Sequence, residues 1–512
     1  MNRRLFVKSA AMLTGASAIG MPITTLRAQQ GSPNEPATLV VRPDTVLGKF
    51  PHIWEECVGS DRASVGMRAQ WLADLDRVHK ETGVKRVRFH GLLSDEMGVW
   101  PSGAKAPSFL YVDTVFDAML ERGVKPFVEL SFMPGALASG TKTLFFYRAN
   151  MTIPKDMQQW EDLLRALAEH LVQRYGIDEI RTWAFEVWNE PNLPYFWSGT
   201  KEDYFELYRR AATAVKAVDA KLSIGGPATA EAGWVADLLD YCATKQVPID
   251  FVSTHIYPDD PQKVVFGPDA QFPFEEVIPR ALAKVKGQIT ASKFPSLPLY
   301  ITEWSSQNPA FIAHTIKGTV GIADMLAYWT FDSVYEELGT PKTFMNSSFG
   351  LIGLRGVPRP SFHAFALLHR LGDSELAATE GPLLATKRAD GSLAIMVWNL
   401  VPQPPGQHSA TGDPTVQTSA QFVTEGSARQ FVVKIEGAHK ARKGTITRVD
   451  DNSGSLRKAY EAVGSPPYPT VQQIEQLKRL TELAPPQQFR LDVNGAISVS
   501  VPPNGIALIE IA

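Results

Sequence analysis

Residues 180–190 read IRTWAFEVWNE, and residues 201–218 read KEDYFELYRRAATAVKAV. The first is an apolar run of strand length that ends in polar side chains. The second carries a helical pattern. This pair of elements recurs along the chain. Strands expected at 52–60, 84–90, 124–132, 180–190, 221–227, 250–257, 298–304 and 327–331 are each followed by a helical stretch, at 68–82, 111–122, 155–175, 201–218, 233–245, 274–289, 312–326 and 361–371. Strands alternating with helices imply a parallel sheet. Eight such units within residues 51–371 predict an α/β fold, a closed (β/α)8 TIM barrel. The rival, an open doubly wound sheet, normally shows a glycine-rich phosphate turn after its first strand, and residues 59–66 do not form one.

The pattern changes after Gly381. Short alternating runs at 392–399, 430–435, 444–449, 489–493, 497–501 and 505–511 predict a β-sandwich over residues 381–512 as an accessory domain. One helix, 470–483, interrupts it, and residues 402–419, rich in Pro, Gly, Ser and Thr, read as a long exposed loop. A short extended piece at 37–47 lies outside the barrel count and is expected to add a strand to the sandwich.

Residues 1–28 read as an export signal. The charged start contains Arg3-Arg4, a weakly apolar run rich in Ala, Gly and Ser follows, and Ala28 closes it. The arginine pair resembles the twin-arginine type, which places the mature protein in the periplasm or outside the cell. The apolar run is shorter than the ~20 residues of a spanning helix, and no other segment reaches that length, so no integral membrane segment is expected.

Composition narrows the function. The 512 residues carry 51 Lys+Arg against 54 Asp+Glu, a net charge of −3, which leaves no basic excess for a general nucleic-acid footprint. Two cysteines, Cys57 and Cys242, exclude a disulfide scaffold and a multi-cysteine metal site. Both sit in apolar stretches and are read as buried free thiols. Asp259-Asp260 and His314 have no metal-ligand spacing with other residues, and no HExxH, phosphate loop or dinucleotide fingerprint is visible. No metal and no cofactor is expected.

Barrel chemistry sits at the C-terminal strand ends. There the chain places His90 on the second strand, Phe132 on the third, Asn189 and Glu190 on the fourth, His255 and Tyr257 on the sixth, Glu303 and Trp304 on the seventh, and Trp329 on the eighth. Indoles can stack on sugar rings, and amide and imidazole groups can hold hydroxyls. The fourth and seventh strands face each other across an eight-stranded barrel, so Glu190 and Glu303 can meet over its mouth. Glycoside hydrolysis needs two carboxyls, one to protonate the leaving oxygen and a second beside the anomeric carbon; an approach within about 4–7 Å brackets the configuration-retaining arrangement. By strand parity Arg88 lies on the face of His90, and Glu186 lies one layer below Glu190. Pairing of Arg88 with Glu186 alone, or of Arg88 with Glu303, is equally open. Trp54 reads as core packing, and Glu336 as a solvated helix residue.

The run 185–192, FEVWNEPN, resembles the acid/base motif of glycosidases with carboxylates on barrel strands four and seven. Arg88-Phe89-His90-Gly91, Phe132-Met133-Pro134, His255-Ile256-Tyr257, Ile301-Thr302-Glu303 and Tyr328-Trp329-Thr330-Phe331 leading to Glu336-Glu337 follow in the order of glycoside hydrolase family 39, the β-xylosidase and α-L-iduronidase family. The stretch from Gly464-Ser465-Pro466 to Leu477 resembles that family's accessory domain.

The resemblance implies Glu190 as general acid/base and Glu303 as nucleophile. It implies Asn189 on the hydroxyl next to the anomeric carbon, and His90, Phe132, His255, Tyr257, Trp329 and Glu337 around the terminal sugar. It implies a retaining, exo-acting β-xylosidase that releases xylose from xylo-oligosaccharides, with a glycoside as its partner. The alternatives are the same mechanism on an α-L-arabinoside, an α-L-iduronide or a bacterial exopolysaccharide, or a non-catalytic polysaccharide-binding protein. After Glu303 the chain reads Trp-Ser-Ser-Gln rather than the Phe-Asn-Thr-Ser of the β-xylosidases, a departure that bears on the sugar and not on the chemistry.

Overall fold

A computed structural model describes residues 36–337, 339–345, 349–402, 426–438 and 442–512. The export signal expected at 1–28 and nearly all of the loop expected at 402–419 lie outside these residues. Eight parallel strands close into a barrel in chain order: Val58–Arg62, Arg86–His90, Lys125–Leu130, Ala184–Val187, Ser223–Thr229, Phe251–His255, Leu299–Trp304 and Met325–Tyr328. Closure is through Tyr328, which pairs with Val58.

The first strand starts later than the sequence pattern implied. His52 and Trp54 instead stack on each other, 4.7 Å between centroids, with Phe50 beside them. The fourth strand stops at Val187, short of the expected Glu190, because Trp188 and Glu190 adopt left-handed backbone at φ 69° and 43°. Its helix, Lys201–Val218, begins where expected because Thr200 and Asp203 cap each other's backbone N–H groups. Asp156 starts Met157–Tyr175 in the same way, accepting from the Gln158 N–H at 2.8 Å.

Inside the barrel, character changes with height. The lower layer is apolar: Cys57, Phe127, Phe251, Met325 and Ala327. The layers above hold Arg88, Glu129, Glu186 and Glu303, all fully buried. This vertical split gathers charge at the strand ends. Cys57 and Cys242 are both buried free thiols.

The second domain is one continuous nine-stranded sheet rather than two separately bonded layers. Its order is Gln487–Arg490, Lys443–Val449, Ile506–Ile511, Leu393–Trp398, Leu383–Lys387, Ser374–Ala378, Ala37–Lys49, Arg429–Ile435, Ala496–Val501. All pairs are antiparallel except Ala37–Lys49 with Arg429–Ile435. The sheet takes up at Ser374, directly after the last barrel helix, Pro360–His369. One face gives Ala394, Met396, Trp398 and Leu508 to the barrel's own core. The other gives Val41, Ile395, Phe431, Val499 and Ile509 to a separate core formed by the sheet's own strands and their connections. Among the described residues that core draws on no helix, and strands from both ends of the sheet's order meet in it, so the sheet curls to cover itself, which produces sandwich-like burial from a single ladder. A third small core joins helices Leu456–Ala462 and Val471–Leu480 to Phe344, Met345 and Val357, in the long connection after the eighth barrel strand.

Candidate active site

The barrel rim brings Glu190, Glu303 and His255 together. One carboxylate oxygen of each glutamate and one ring nitrogen of His255 all lie within 4.8 Å of one another. Both oxygens of Glu303 are held. Oε1 accepts from Arg88 Nη1 at 3.0 Å and Oε2 from the Tyr257 hydroxyl at 2.8 Å. His255 Nδ1 is 3.1 Å from Glu190 Oε1 and 3.7 Å from Glu303 Oε1.

Arg88 is the hub. Its Nε donates to Glu186 at 2.6 Å, and its Nη2 donates to Asn189 Oδ1 at 3.0 Å and lies 2.8 Å from Glu129. Arg88 thus does not pair with Glu186 alone: it holds Glu186 and Glu303 at once. Burial opposes the guanidinium charge, but Glu129, Glu186 and Glu303 outweigh it and raise the pKa of Arg88 further. Because an arginine only donates, Asn189 must turn its oxygen toward Arg88. Its amide NH2 therefore points the other way.

The two histidines are held in opposite charge states. His90 Nδ1 donates to Glu129 at 2.8 Å, and its Nε2 lies 3.3 Å from Glu337 and 3.7 Å from Glu303. Burial disfavours its charge, but Glu129, and after it Glu337 and Glu303, raise its pKa to about 10. His255 goes the other way. Burial pushes it down to about 3, with Glu303 opposing and Arg88 assisting.

Aromatic rings close the space. Trp329 lies 4.5 Å from His90, and Phe132 packs edge-on against Trp188 at 5.5 Å. Gly59 makes room for Trp329, since a Cβ there would come within 2.4 Å of the indole. His90, Phe132, Asn189, His255, Glu303 and Trp329 are completely buried, and Glu190 keeps 1% of its surface. Five buried polar atoms make no hydrogen bond among the described residues: His90 Nε2, Asn189 Nδ2, His255 Nε2, Trp329 Nε1 and Glu337 Oε1. Buried polar groups are rarely left so, and this many around one space marks a place built for a polyhydroxylated ligand.

Every site residue read from the sequence thus falls around this one space, Glu337 included. Glu336, expected on a solvated helix, is instead in a loop, with Arg62 and Arg68 on its carboxylate at 3.0 and 2.7 Å. Sequence reading missed Glu129 and Phe145. Phe145, on the short hairpin at 143–150, stacks over His90 at 5.9 Å. For Glu129 the signal was a carboxylate in the interior of the strand Lys125–Leu130, among Phe127, Val128 and Leu130 and on the same face as Phe127; such a charge is almost never buried unpaired.

Two groups have metal-ligand spacing among the described residues, the Glu190–His255–Glu303 set and His52–Glu55–His369. In the second, both histidine Nδ1 atoms already bond Glu55 Oε1, at 2.6 and 2.8 Å, which satisfies it as an ion-pair cluster.

The sequence profile of glycosyl hydrolases family 39 matches residues 38–491. A β-xylosidase of Geobacillus stearothermophilus is 36% identical over 496 residues, 92% of this chain and 94% of that one. A β-xylosidase of Caldicellulosiruptor saccharolyticus is 36% identical over 463 residues, 85% and 90% of the two chains. The crystal structure of a monomeric β-xylosidase from Caulobacter crescentus CB15 is 30% identical and matches with a TM-score of 0.82, over 93% of this chain and 99% of that one. A profile that runs from the first strand of the curled sheet to beyond its last helix, over a barrel with opposed carboxylates at its mouth, makes the chain a glycosidase and a member of glycosyl hydrolases family 39.

Proposed function

We propose that the protein is a retaining, exo-acting β-xylosidase. The observation that carries the retaining mechanism is the approach of Glu190 and Glu303, with facing oxygens no more than 4.8 Å apart. Retaining glycosidases place their carboxyl groups about 5–5.5 Å apart, whereas inverting ones leave ~6.5–9.5 Å for a water. The burial of His90, Phe132, Asn189, Glu190, His255, Glu303 and Trp329 around the space supports a closed pocket for one terminal sugar, and the two β-xylosidases at 36% identity support xylose as that sugar.

In the first step a Glu303 oxygen attacks the anomeric carbon as the glycosidic C–O bond breaks. The leaving oxygen takes the proton of the Glu190 carboxyl. In the second step Glu190 removes a proton from water, which displaces Glu303 and restores the starting configuration. Arg88 and Tyr257 hold the two Glu303 oxygens before attack, so no reorientation is needed during it. Neutral His255 suits Glu190, because the Nδ1···Oε1 line tolerates the carboxyl in either protonation state. Asn189 Nδ2, fixed by the Arg88 bond to its oxygen, donates to the hydroxyl next to the anomeric carbon. The Arg3-Arg4 start and the short small-residue run after it support work in the periplasm or outside the cell.

A panel of nitrophenyl glycosides tests the sugar, and two variants test the mechanism. Glu303→Ala should lose turnover on every substrate. Glu190→Ala should still form the covalent intermediate from an aryl xyloside with a good leaving group, hydrolyse it slowly, and recover turnover with azide to give the β-xylosyl azide. Azide rescue with the anomers exchanged between the two variants would reverse the assignment. Absence of cleavage of the xyloside, with cleavage of another glycoside, would replace the sugar.

A further inference from the structure

The reaction uses Glu190 and Glu303, yet a third glutamate is buried just as deeply beside them. Glu129 is fully buried on the third barrel strand. One of its oxygens accepts from the Ser131 hydroxyl, and the other accepts from His90 Nδ1 at 2.8 Å and lies 2.8 Å from Arg88 Nη2. It faces a different nitrogen of Arg88 from the one that holds Glu303. Resting on the mechanism proposed above, we infer that Glu129 is a positioning residue: it fixes His90 as a permanent hydrogen-bond donor toward the sugar, and it steadies the Arg88 arm that holds Glu303.

The rings around His90 leave it little choice of orientation. Trp329 is at 4.5 Å, Phe132 at 5.9 Å, and Phe145 is nearly parallel to it at 5.9 Å. With Nδ1 tied to Glu129, Nε2 must face the pocket. The charged groups around this imidazole are Glu129 on the third strand, Glu303 on the seventh, Glu337 in the loop after the eighth, and Arg88 on its own strand, with neutral His255 on the sixth. Of the carboxylates, Glu129 makes the shortest contact with the ring, 2.8 Å against 3.3 Å for Glu337, and it is the leading attraction that keeps the proton count at two. A doubly protonated imidazole donates at Nε2. A neutral one protonated at Nδ1 presents a lone pair there and can no longer donate. Glu129 therefore sets the polarity of one wall of the pocket without reaching the substrate. A purely structural role, filling the barrel layer above Phe127, would not depend on its charge.

Glu129→Gln keeps the shape and the acceptor for Nδ1 but removes the charge. If His90 then returned toward an ordinary histidine near ~6.5, about one molecule in thirty would keep the charged ring at pH 8. The expected result is a kcat/KM on nitrophenyl xyloside, relative to wild type, about 30-fold lower at pH 8 than at pH 5, with kcat affected less. The ring 15N signals of His90, assigned by loss in His90→Asn, should show both nitrogens protonated in wild type at pH 8 and Nε2 deprotonated in the variant. A pH profile parallel to wild type, or an unchanged ring signal, overturns the inference. If the glutamine variant does not fold, Glu129→Asp decides. It should keep both ring protons while lowering kcat/KM at all pH values, and unchanged kcat/KM refutes the role. The ring signal is independent of turnover, so failure on xylosides would remove the proposed substrate while leaving Glu129 testable.

Discussion

Arg88→Met is the perturbation whose cost the structure fixes best. Methionine replaces the aliphatic stem but none of the donors. Glu129, Glu186 and Glu303 then share a dry layer without their common cation, and Asn189 loses the bond that orients it. Removing one partner of a buried pair costs about 3–5 kcal/mol. Three carboxylates would cost more, but one of them can take up a proton, which limits the loss. Uptake also gives the loss a pH dependence. The native variant then holds one proton that its unfolded chain does not, so its stability falls by about 1.4 kcal/mol for each pH unit of increase. A loss of about 4 kcal/mol at pH 7 should shrink to roughly 1–2 kcal/mol at pH 5. Urea unfolding followed by tryptophan fluorescence measures this directly, because Trp188, Trp304 and Trp329 are all fully buried at the barrel mouth. The quantity to plot is the difference between wild type and variant at pH 5, 6, 7 and 8. A difference under 1 kcal/mol at pH 7, or one constant across the series, would refute the view that the Arg88 guanidinium keeps Glu129, Glu186 and Glu303 charged together.

Two further perturbations follow. Gly59→Ala puts a methyl within 2.4 Å of the Trp329 indole; overpacking of this kind costs about 1–3 kcal/mol, and the displaced ring should raise KM on xylosides several-fold, so unchanged kinetics would mean that Trp329 does not wall the sugar. Burial holds the His363 ring down to about 4, with its Nε2 donating to the Thr481 carbonyl at 2.7 Å. As pH falls below about 6.5 the unfolded chain gains a proton there that the native state refuses, so this site should withdraw about 1.4 kcal/mol of stability per unit down to pH 4, a slope that the wild-type protein shows and His363→Gln lacks.

The barrel was legible because its signal is repetitive. Eight apolar runs followed by helices tolerate errors at single boundaries, and the strand ends then select the site residues by position. Boundaries failed where local chemistry overrode pattern. His52 and Trp54 look like strand residues but stack on each other instead, and the apolar Trp188 belongs to a left-handed turn that aims Glu190 into the mouth. Glu129 was missed because strand-end logic took Phe132 as the residue that the third strand offers the rim, whereas Glu129 lies three positions earlier and reaches His90 and Arg88 from there. Glu336 was misread because its partners, Arg62 and Arg68, lie far back in the sequence. The curled sheet shows the same limit. Alternation identifies each strand, but not whether neighbouring layers share one ladder.

The parallel pairing of Ala37–Lys49 with Arg429–Ile435 also sets a schedule for biosynthesis. Ala37 leaves the ribosome before any barrel strand, and its partner Phe431 follows almost 400 positions later. At about 5–20 residues per second the early strand waits roughly 20–80 s for that neighbour, with both edges open until Ser374–Ala378 is made and one open after it. Open edges recruit other chains. Translation speed over the stretch between Ala37 and Phe431 therefore governs how long nascent molecules can cross-pair. A version cut after the barrel helix Pro360–His369 would leave both edges of that strand exposed for its lifetime, which makes aggregation, rather than lost catalysis, its first expected defect.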